Sequence, residues 1–483
     1  MSEVRVWSSA LVLSIAQATA MLLSYLTWFI LTKVVSLKVL GVASASFSLL
    51  YLLSLLVNLG IHGPILKFVP NQEHRKTVIT TSTILVLTTS GVTATLLYLF
   101  SHTISHILNV PRTCIVAVAL WLVVNAICYL ARYIGISLLK CTQVATIDVV
   151  VAVCRIVAAC TLAVIGLGAL GVVLGYLIST VLGTILYTII IREVLIHLLP
   201  QSSRLDFHLV LRYSLPTYLP NVVSASPSLF GVLLVSSYYG GEETGLFYIA
   251  LAYTQALTFL PTLATTLLVP MSSSSESDGS KSPNYSEVAS LSLGLSLVLM
   301  VVGLYLARFF LSLLGTTYLR AIPLIQVLLT SIPLAIAMNV AWSSSYIASR
   351  PEQVLTYALP SSILQVVLYI VLVPSLGSIG AAYARVVSLS LGAGIAVLVA
   401  ARLGMEIPWL RMIPSILVAA LLYLVYILNP IESMYLELLT SLIVALVMML
   451  LLEKLGIRVL TLVVRLAMVI LPRGKIRGQG TNH

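Results

Sequence analysis

The chain has 483 residues, of which 60% are hydrophobic and only 8% charged, and its mean hydropathy is +1.10. So few charges cannot cover a soluble exterior of this size, so the composition excludes an ordinary soluble domain. Apolar runs of about 20 residues, long enough to cross roughly 30 Å of hydrocarbon, recur along the sequence. The chain is therefore predicted to be an all-α polytopic membrane protein. The net charge of +11 then indicates loops near anionic lipid, and we expect no nucleic acid as a partner.

In chain order, the apolar runs predict about fourteen transmembrane helices joined mostly by short loops. The longer polar connections fall around 192–208 and in the serine-rich stretch 272–286. The predicted helices are 8–34, 39–68, 78–101, 113–138, 144–167, 170–192, 209–238, 243–270, 285–312, 320–347, 352–374, 378–402, 409–428 and 434–455.

The distribution of basic residues predicts the orientation of these helices. With a cytoplasmic N-terminus, eighteen Lys and Arg residues fall in inner segments and five in outer ones, which predicts that both termini lie in the cytoplasm. The membrane is expected to be the plasma membrane. The tail spaces Arg458 and Arg465 on one face among apolar residues. This pattern indicates either a basic amphipathic helix at the membrane interface or a helical extension with a solvated end.

A short unit recurs at two places in the chain. The stretch 373–388 reads V-P-S-L-G-S-I-G-A-A-Y-A-R-V-V-S, and a weaker copy occupies 164–179. Gly168 and Gly171 align with Gly377 and Gly380 at an offset of 209 residues. In both copies a glycine interrupts the apolar run, which predicts the same break in each helix pair.

A second correspondence, Gly41 with Gly245, has an offset of 204 residues. Two like-ordered halves of six helices each are therefore predicted, related by a pseudo-twofold axis along the membrane normal and surrounding a central cavity. The predicted parts are a first half 1–200, a second half 201–405, two additional transmembrane helices 406–455 and a basic amphipathic cytoplasmic tail 456–483.

The five cysteines contain no C-x-x-C pair and fall mostly in apolar runs, so they indicate packing residues. His102 and His106 have a helical spacing of four, but no Cys, Asp or Glu lies near them, which is typical of an interfacial pair. The chain has no G-x-x-x-x-G-K-[ST] motif and so no predicted ATPase site of its own. We expect neither a metal nor a cofactor.

Four stretches, in this order and separation, resemble the polysaccharide-lipid flippases of the multidrug/oligosaccharidyl-lipid/polysaccharide exporter (MOP) superfamily. They are R-Y-S-L-P-T-Y-L-P at 212–220, T-G-L-F-Y-I-A-L-A at 244–252, I-A-S-R-P at 347–351 and V-P-S-L-G-S-I-G-A-A-Y-A at 373–384. The resemblance extends over nearly the whole chain. It implies a transporter, not an enzyme, that moves a lipid-linked oligosaccharide with an anionic phosphate headgroup across the membrane by alternating access. The implied partners are a polyprenyl-phosphate- or diphosphate-linked glycan, membrane lipids and glycan assembly enzymes.

Two other functions stay open at this point. A multidrug or toxin extruder of the same superfamily would need acidic residues for its cations, and Asp148 is the only carboxylate that the sequence predicts within the membrane. A membrane glycosyltransferase or polymerase would need acids in an outer loop. The candidates are Glu242, Glu243, Glu432 and Glu437, which are not in a metal-binding pattern.

Three arginines lie inside apolar runs and are the candidate substrate-binding residues. Arg155 lies deepest, and an arginine there costs about 2.5–3.5 kcal/mol on insertion scales, so we expect either a substrate-facing position or a buried ion pair. Arg385 follows the second glycine break and faces either the cavity or the membrane interface. Arg132 faces Asp148 across a predicted helix hairpin, so the two are either a structural pair or cavity residues.

Two further roles follow from position. If Asp148 faces the cavity, it is the candidate site for coupling transport to protons or sodium. Pro216 and Pro220 each remove a backbone hydrogen bond from the seventh helix, which indicates either a hinge for alternating access or a statically bent helix.

Overall fold

The computed structural model describes residues 3–198, 205–266, 285–348, 350, 352–404, 409–428 and 434–457. The backbone of this part of the chain is helical, joined by short turns and free of strands, which confirms the all-α prediction. The α-helices are α1 Glu3–Val34, α2 Leu37–Val57, α3 His62–Phe68, α4 Gln72–Leu99, α5 Ser101–Leu108, α6 Arg112–Ser137, α7 Cys141–Leu162, α8 Gly168–Leu198, α9 Phe207–Thr266, α10 Tyr285–Leu314, α11 Ile322–Leu329, α12 Ser331–Ile347, α13 Gln353–Arg402, α14 Trp409–Leu428 and α15 Met434–Lys454.

Ten segments of the described residues are long and apolar enough to cross a membrane. Three of them, 141–194, 218–265 and 353–402, are at least 48 residues long, and each contains a glycine with a non-helical backbone. A further apolar helix of intermediate length covers Met412–Leu428. The protein is therefore a multi-pass membrane protein, while the total of fourteen spans stays a prediction.

Two of the predicted helices are divided in the structure. The predicted helix 39–68 ends at Val57, and a turn with positive φ at Leu59 and Gly60 leads into α3. The predicted helix 320–347 consists of a 3-10 segment, α11 and α12. Hydropathy continues unbroken across both turns, so the apolar pattern alone did not predict them.

The repeated glycine unit has the same backbone geometry in both copies. Gly168 has φ 52° and ψ −129°, and Gly377 has φ 63° and ψ −142°, a region essentially restricted to glycine. A Cβ on Gly171 or Gly380 would lie 2.6 or 2.4 Å from a carbonyl oxygen of the helix segment before the break. The alignment at an offset of 209 residues thus corresponds to one structural corner that occurs twice.

The described helices form two compact units. The first comprises Met1–Ala252, Leu311–Val327 and Val354–Leu391, and the second comprises Tyr253–Phe310, Leu328–Gln353 and Gly392–His483. The first unit takes helices from both predicted halves, and the division of the chain near residue 200 stays a prediction. The predicted tail helix lies outside the described residues beyond Ile457.

Within the first unit, α2 and the C-terminal arm of α9 touch backbone to backbone. A Cβ on Gly41 would lie 1.7 Å from the Gly241 carbonyl oxygen, and one on Gly245 would lie 2.7 Å from the Leu37 carbonyl oxygen. Gly41 and Gly245 are the residues that the repeat aligns with each other. Small residues therefore let the backbones of these two corresponding helices approach each other closely.

Candidate functional site

Arg155 lies in the second half of α7 and is half-buried. Its Nη1 donates a hydrogen bond to Ser24 Oγ of α1 at 3.0 Å, and its Cζ lies 5.0 Å from the ring centroid of Tyr176 on α8. Its Nε is buried and has no hydrogen-bond partner. Among the described residues no carboxylate forms an ion pair with Arg155. The cation is held by a hydroxyl and an aromatic face, and its charge is not compensated.

Tyr176, which contacts this guanidinium, belongs to a larger aromatic cluster. The ring centroid of Phe47 on α2 lies 5.3 Å from that of Tyr176 and 4.3 Å from that of Tyr51. The ring centroids of Trp28 and Tyr248 are 4.5 Å apart. These separations are those of tilted and edge-to-face aromatic pairs. The rings of the cluster are Trp28 of α1, Phe47 and Tyr51 of α2, Trp121 of α6, Tyr176 of α8 and Tyr248 of α9.

The cluster is firmly packed at one end and accessible at the other. Trp121 and Tyr176 are both 2% exposed, and the Trp121 Nε1 donates to Thr180 Oγ1 at 2.9 Å. Tyr51, one helical turn beyond Phe47, is 37% exposed yet close enough to Arg155 to interact with it electrostatically. The rings were not predicted, because aromatic residues are ordinary in apolar helices, whereas charged residues and amides stand out there. The signal that was available is the spacing of four between Phe47 and Tyr51.

The structure places Arg132 and Asp148 in an ion pair. Arg132 donates through Nε at 2.9 Å and through Nη2 at 2.8 Å to the two carboxylate oxygens of Asp148, and the Tyr187 hydroxyl donates to the same carboxylate. The side chains of Arg132 and Asp148 are 19% and 11% exposed. Bidentate geometry of this kind is among the stronger charge-assisted interactions. Substrate binding by Arg132 and ion coupling by Asp148 stay predictions, and each would have to use a side chain that is already occupied.

Arg385 follows the Gly377 break on α13. Its Nη1 donates to Ser228 Oγ of α9 at 2.5 Å, and the guanidinium also interacts electrostatically with the Tyr369 hydroxyl. The same hydroxyl accepts a bond from Gln365 Nε2 at 2.7 Å. The Nε of Arg385 is buried and unpartnered, and no carboxylate of the described part of the chain pairs with it.

The two uncompensated arginines occupy related corners of the repeat. In the first copy the arginine precedes the glycine break and Tyr176 follows it; in the second copy Tyr369 precedes the break and the arginine follows it. An offset of 209 residues places Arg385 on Tyr176. The arginine–tyrosine contact is thus present in both copies with the two helices exchanged, although the residues differ at each aligned position.

The backbone of α9 is helical through Pro216 and Pro220, and its non-helical break lies at Gly240, with φ 72°. Gly240 separates the two predicted helices 209–238 and 243–270. The hinge role of the prolines stays a prediction.

One expectation about acidic residues is wrong. Glu437 of α15, in the second unit, has a completely buried side chain inside the candidate span Leu436–Lys454, so Asp148 is not the only carboxylate there. Arg308 Nε lies 3.4 Å from Glu437 Oε1, and the Tyr426 hydroxyl donates to that oxygen at 3.2 Å. Because Glu437 lies near the start of the predicted helix 434–455, it was predicted to belong to an outer loop.

Several solved structures similar to this chain are named as flippases or transporters. A lipid II flippase MurJ in an inward closed conformation matches with a TM-score of 0.71 at 16% identity, covering 92% of this chain and 99% of that one. An inward-facing multidrug resistance MATE family transporter of the MOP superfamily matches with a TM-score of 0.60 at 16% identity, covering 82% of this chain and 99% of that one. A MOP superfamily transporter from Pyrococcus furiosus matches with a TM-score of 0.56 at 15% identity, covering 82% of this chain and 96% of that one.

These similarities define the class as a polytopic membrane protein with the MOP transporter fold. The model of the family described as "Polysaccharide biosynthesis protein" matches residues 6–276, which is more than half of the chain. The chain therefore belongs to the polysaccharide biosynthesis protein family, which confirms the resemblance seen in its motifs. A search of curated proteins found no match.

Proposed function

We propose that this protein is a flippase that moves a lipid-linked oligosaccharide with an anionic phosphate headgroup across the cell membrane. The observation that carries the proposal is the uncompensated Arg155, whose guanidinium has an unpartnered Nε inside an apolar helix bundle. The matched solved structures support the proposal, since one is named a lipid II flippase and the others are transporters.

The chemistry of the site favours an anion as the ligand. An arginine within the membrane costs about 2.5–3.5 kcal/mol or more, and that cost is offset when an anion binds. Guanidinium donates two parallel hydrogen bonds to phosphate oxygens. Arg155 donates a hydrogen bond to Ser24 through Nη1 only, and the Nε of both Arg155 and Arg385 is unpartnered. We infer that Arg155 binds the phosphate or diphosphate and that Arg385 supplies a second cation along the path.

A cation extruder is less well supported. Asp148 and the fully buried Glu437 each form an ion pair with an arginine, Asp148 with Arg132 and Glu437 with Arg308. A tyrosine hydroxyl donates to each carboxylate as well. A transported cation would have to displace a bidentate arginine from Asp148, whereas an anion meets two arginines that need no displacement.

A glycosyltransferase is disfavoured by the state of its candidate acids. Glu242 and Glu243 lie 3.7 and 3.6 Å from Arg320 nitrogens, and Glu243 also accepts a hydrogen bond from Ser378 Oγ at 2.6 Å. Glu437 is buried, and Glu432 lies outside the described residues. None of the described candidates offers an unpaired carboxylate to a sugar acceptor.

In the proposed cycle the phosphate headgroup and glycan occupy the interior while the polyprenyl tail stays in lipid. Alternating access would expose the site first to one face of the membrane and then to the other, with Pro216 and Pro220 as the proposed hinge. Both termini are proposed to lie in the cytoplasm, and glycan assembly enzymes are the proposed protein partners. An ion-coupling role for Asp148 would require the Arg132 pair to open during the cycle.

The test is substitution of Arg155 in cells whose own copy of the gene is deleted. Arg155→Gln keeps a polar side chain but removes the charge, so we expect glycan export to be lost while the protein level is kept. Arg155→Lys keeps the charge but lacks the two parallel N–H donors of the guanidinium, so it should retain part of the export. Arg112→Gln is the matched control, because Arg112 Nε also bonds to a serine hydroxyl, at 3.1 Å, outside the site. Full export by Arg155→Gln would refute the assignment.

A further inference from the structure

One face of α2 changes in character along its length. Phe47 and Tyr51 are aromatic, Ser54 carries a hydroxyl, and Asn58, the C-cap residue, has an amide side chain. The spacing of these residues, four, three and four, places them on one helix face. We call this set the α2 inner face: Phe47, Tyr51, Ser54 and Asn58. Its length along the helix axis is about 16 Å at 1.5 Å per residue.

The α2 inner face is directed toward the interior of the first unit and not toward lipid. The Phe47 ring contacts the rings of Trp121 on α6 and of Tyr176, with centroid separations of 6.0 Å and 5.3 Å. Ser54 Oγ accepts a hydrogen bond from Asn125 Nδ2 of α6 at 3.1 Å. Leu56 lies on the opposite side of the helix and is 48% exposed. Tyr51 lies on the same helix face, packs against Phe47 and is 37% exposed.

Two residues on this face, Asn58 and Tyr51, are placed where a ligand could contact them. The side-chain oxygen of Asn58 is buried and accepts no hydrogen bond, and only 9% of the residue is exposed. The partly exposed Tyr51 ring packs against Phe47, which contacts the Tyr176 ring beside the Arg155 guanidinium. A buried carbonyl without a donor is costly in a stable core, so its presence points to a hydroxyl or amide donor that is supplied by a bound molecule.

A sugar ring has the chemistry to satisfy this arrangement. Its C–H face is apolar and weakly positive, so it stacks on the negative face of an aromatic ring, and its hydroxyl rim both donates and accepts hydrogen bonds. A long alkyl chain would use the rings but leave Asn58 unpartnered, and an inorganic anion would use Arg155 but not the rings.

We propose that the α2 inner face is a sugar subsite that recognises the sugar directly attached to the phosphate held by Arg155. Tyr51 is the stacking platform, and Asn58 and the Ser54–Asn125 pair bind hydroxyl groups. This subsite rests on the proposed function and deepens it, because it makes the protein selective for glycosylated over bare polyprenyl phosphate.

The test is binding of two lipids, decaprenyl phosphate and decaprenyl phosphate glucose, to the full chain in nanodiscs. The wild type should bind the glycosylated lipid about two- to tenfold more tightly, the range that an aromatic contact supplies. Tyr51→Leu removes the ring but keeps an apolar side chain, so it should abolish this preference without changing affinity for the bare lipid. Tyr51→Phe should keep most of the preference. Leu56→Ala, on the opposite side of the same helix, should bind both lipids like the wild type.

The outcomes separate the subsite from the underlying function. Arg155→Gln should weaken binding of both lipids equally, because both carry the phosphate. If the wild type binds both lipids with one affinity that Arg155→Gln reduces, the sugar subsite is refuted and the anion site stands. If Tyr51→Leu weakens both lipids equally, Tyr51 supports the fold and is not a sugar platform. If neither lipid binds above an apolar control lipid, the proposed function and the subsite both fail.

Discussion

The Arg132–Asp148 pair gives the sharpest prediction about stability. Replacing Asp148 with Asn keeps the size of the side chain but removes the charge that Arg132 contacts through two bonds of 2.8 and 2.9 Å. Removing one partner of a fully buried pair costs about 3–5 kcal/mol. Because the two side chains are still 19% and 11% exposed, we expect a loss of about 2–4 kcal/mol in the free energy of unfolding.

The double variant separates the charge effect from other damage. Arg132→Gln/Asp148→Asn replaces both ions with amides, so no uncompensated charge remains. A double-mutant cycle should then give a coupling of about 2–3 kcal/mol, measured by chemical denaturation in mixed micelles. Transport by the double variant should respond to proton and sodium gradients as the wild type does. If Asp148→Asn leaves stability unchanged but abolishes a response to either gradient that the wild type shows, Asp148 is a coupling residue and the structural account of the pair is wrong.

Three further predictions concern the backbone and one histidine. Gly377→Ala should destabilise the protein by about 1–3 kcal/mol in denaturation, because an L-residue is strained at its φ of 63°; an unchanged midpoint would contradict the assigned corner. Gly41→Ala should reduce transport and thermal stability, because its Cβ would lie 1.7 Å from a carbonyl oxygen, whereas Gly91→Ala, with nothing within 4 Å, should be neutral. Burial lowers the pKa of His62 below its usual 6.5, so protonation favours the unfolded state and this stability is lost as the pH falls below 6.5. His62→Gln should therefore lessen the fall in melting temperature between pH 7.5 and pH 5, and an unaltered pH profile would refute this cause.

The sequence predicted the features that depend on composition and on glycine. The all-α membrane class follows from apolar run length, and the corner at Gly168 and Gly377 follows from a break that an L-residue would strain. The turn at Gly60 was not predicted, because a turn packed within protein needs no polar residues and leaves the hydropathy unchanged.

The candidate site was predicted in part. Arg155 and Arg385 stood out because a charge within an apolar run is costly, and the structure describes both without an acidic partner. The aromatic cluster was not predicted, because its rings come from five helices that only the tertiary fold brings together. Aromatic residues are common in membrane helices. Only the contact of Tyr51 with Phe47, in the cluster that adjoins Arg155, identifies it as a candidate site residue.

The central claim is that the protein moves an anionic glycolipid through a site at Arg155. The most direct measurement uses purified protein in liposomes with a polyprenyl diphosphate that carries a fluorescent oligosaccharide, and a membrane-impermeant quencher that reports its transfer between leaflets. We predict that the wild type exposes the inner-leaflet lipid to the quencher, and that Arg155→Gln gives the result of protein-free liposomes. Transfer by Arg155→Gln at the wild-type rate, or no transfer by the wild type, would contradict the account.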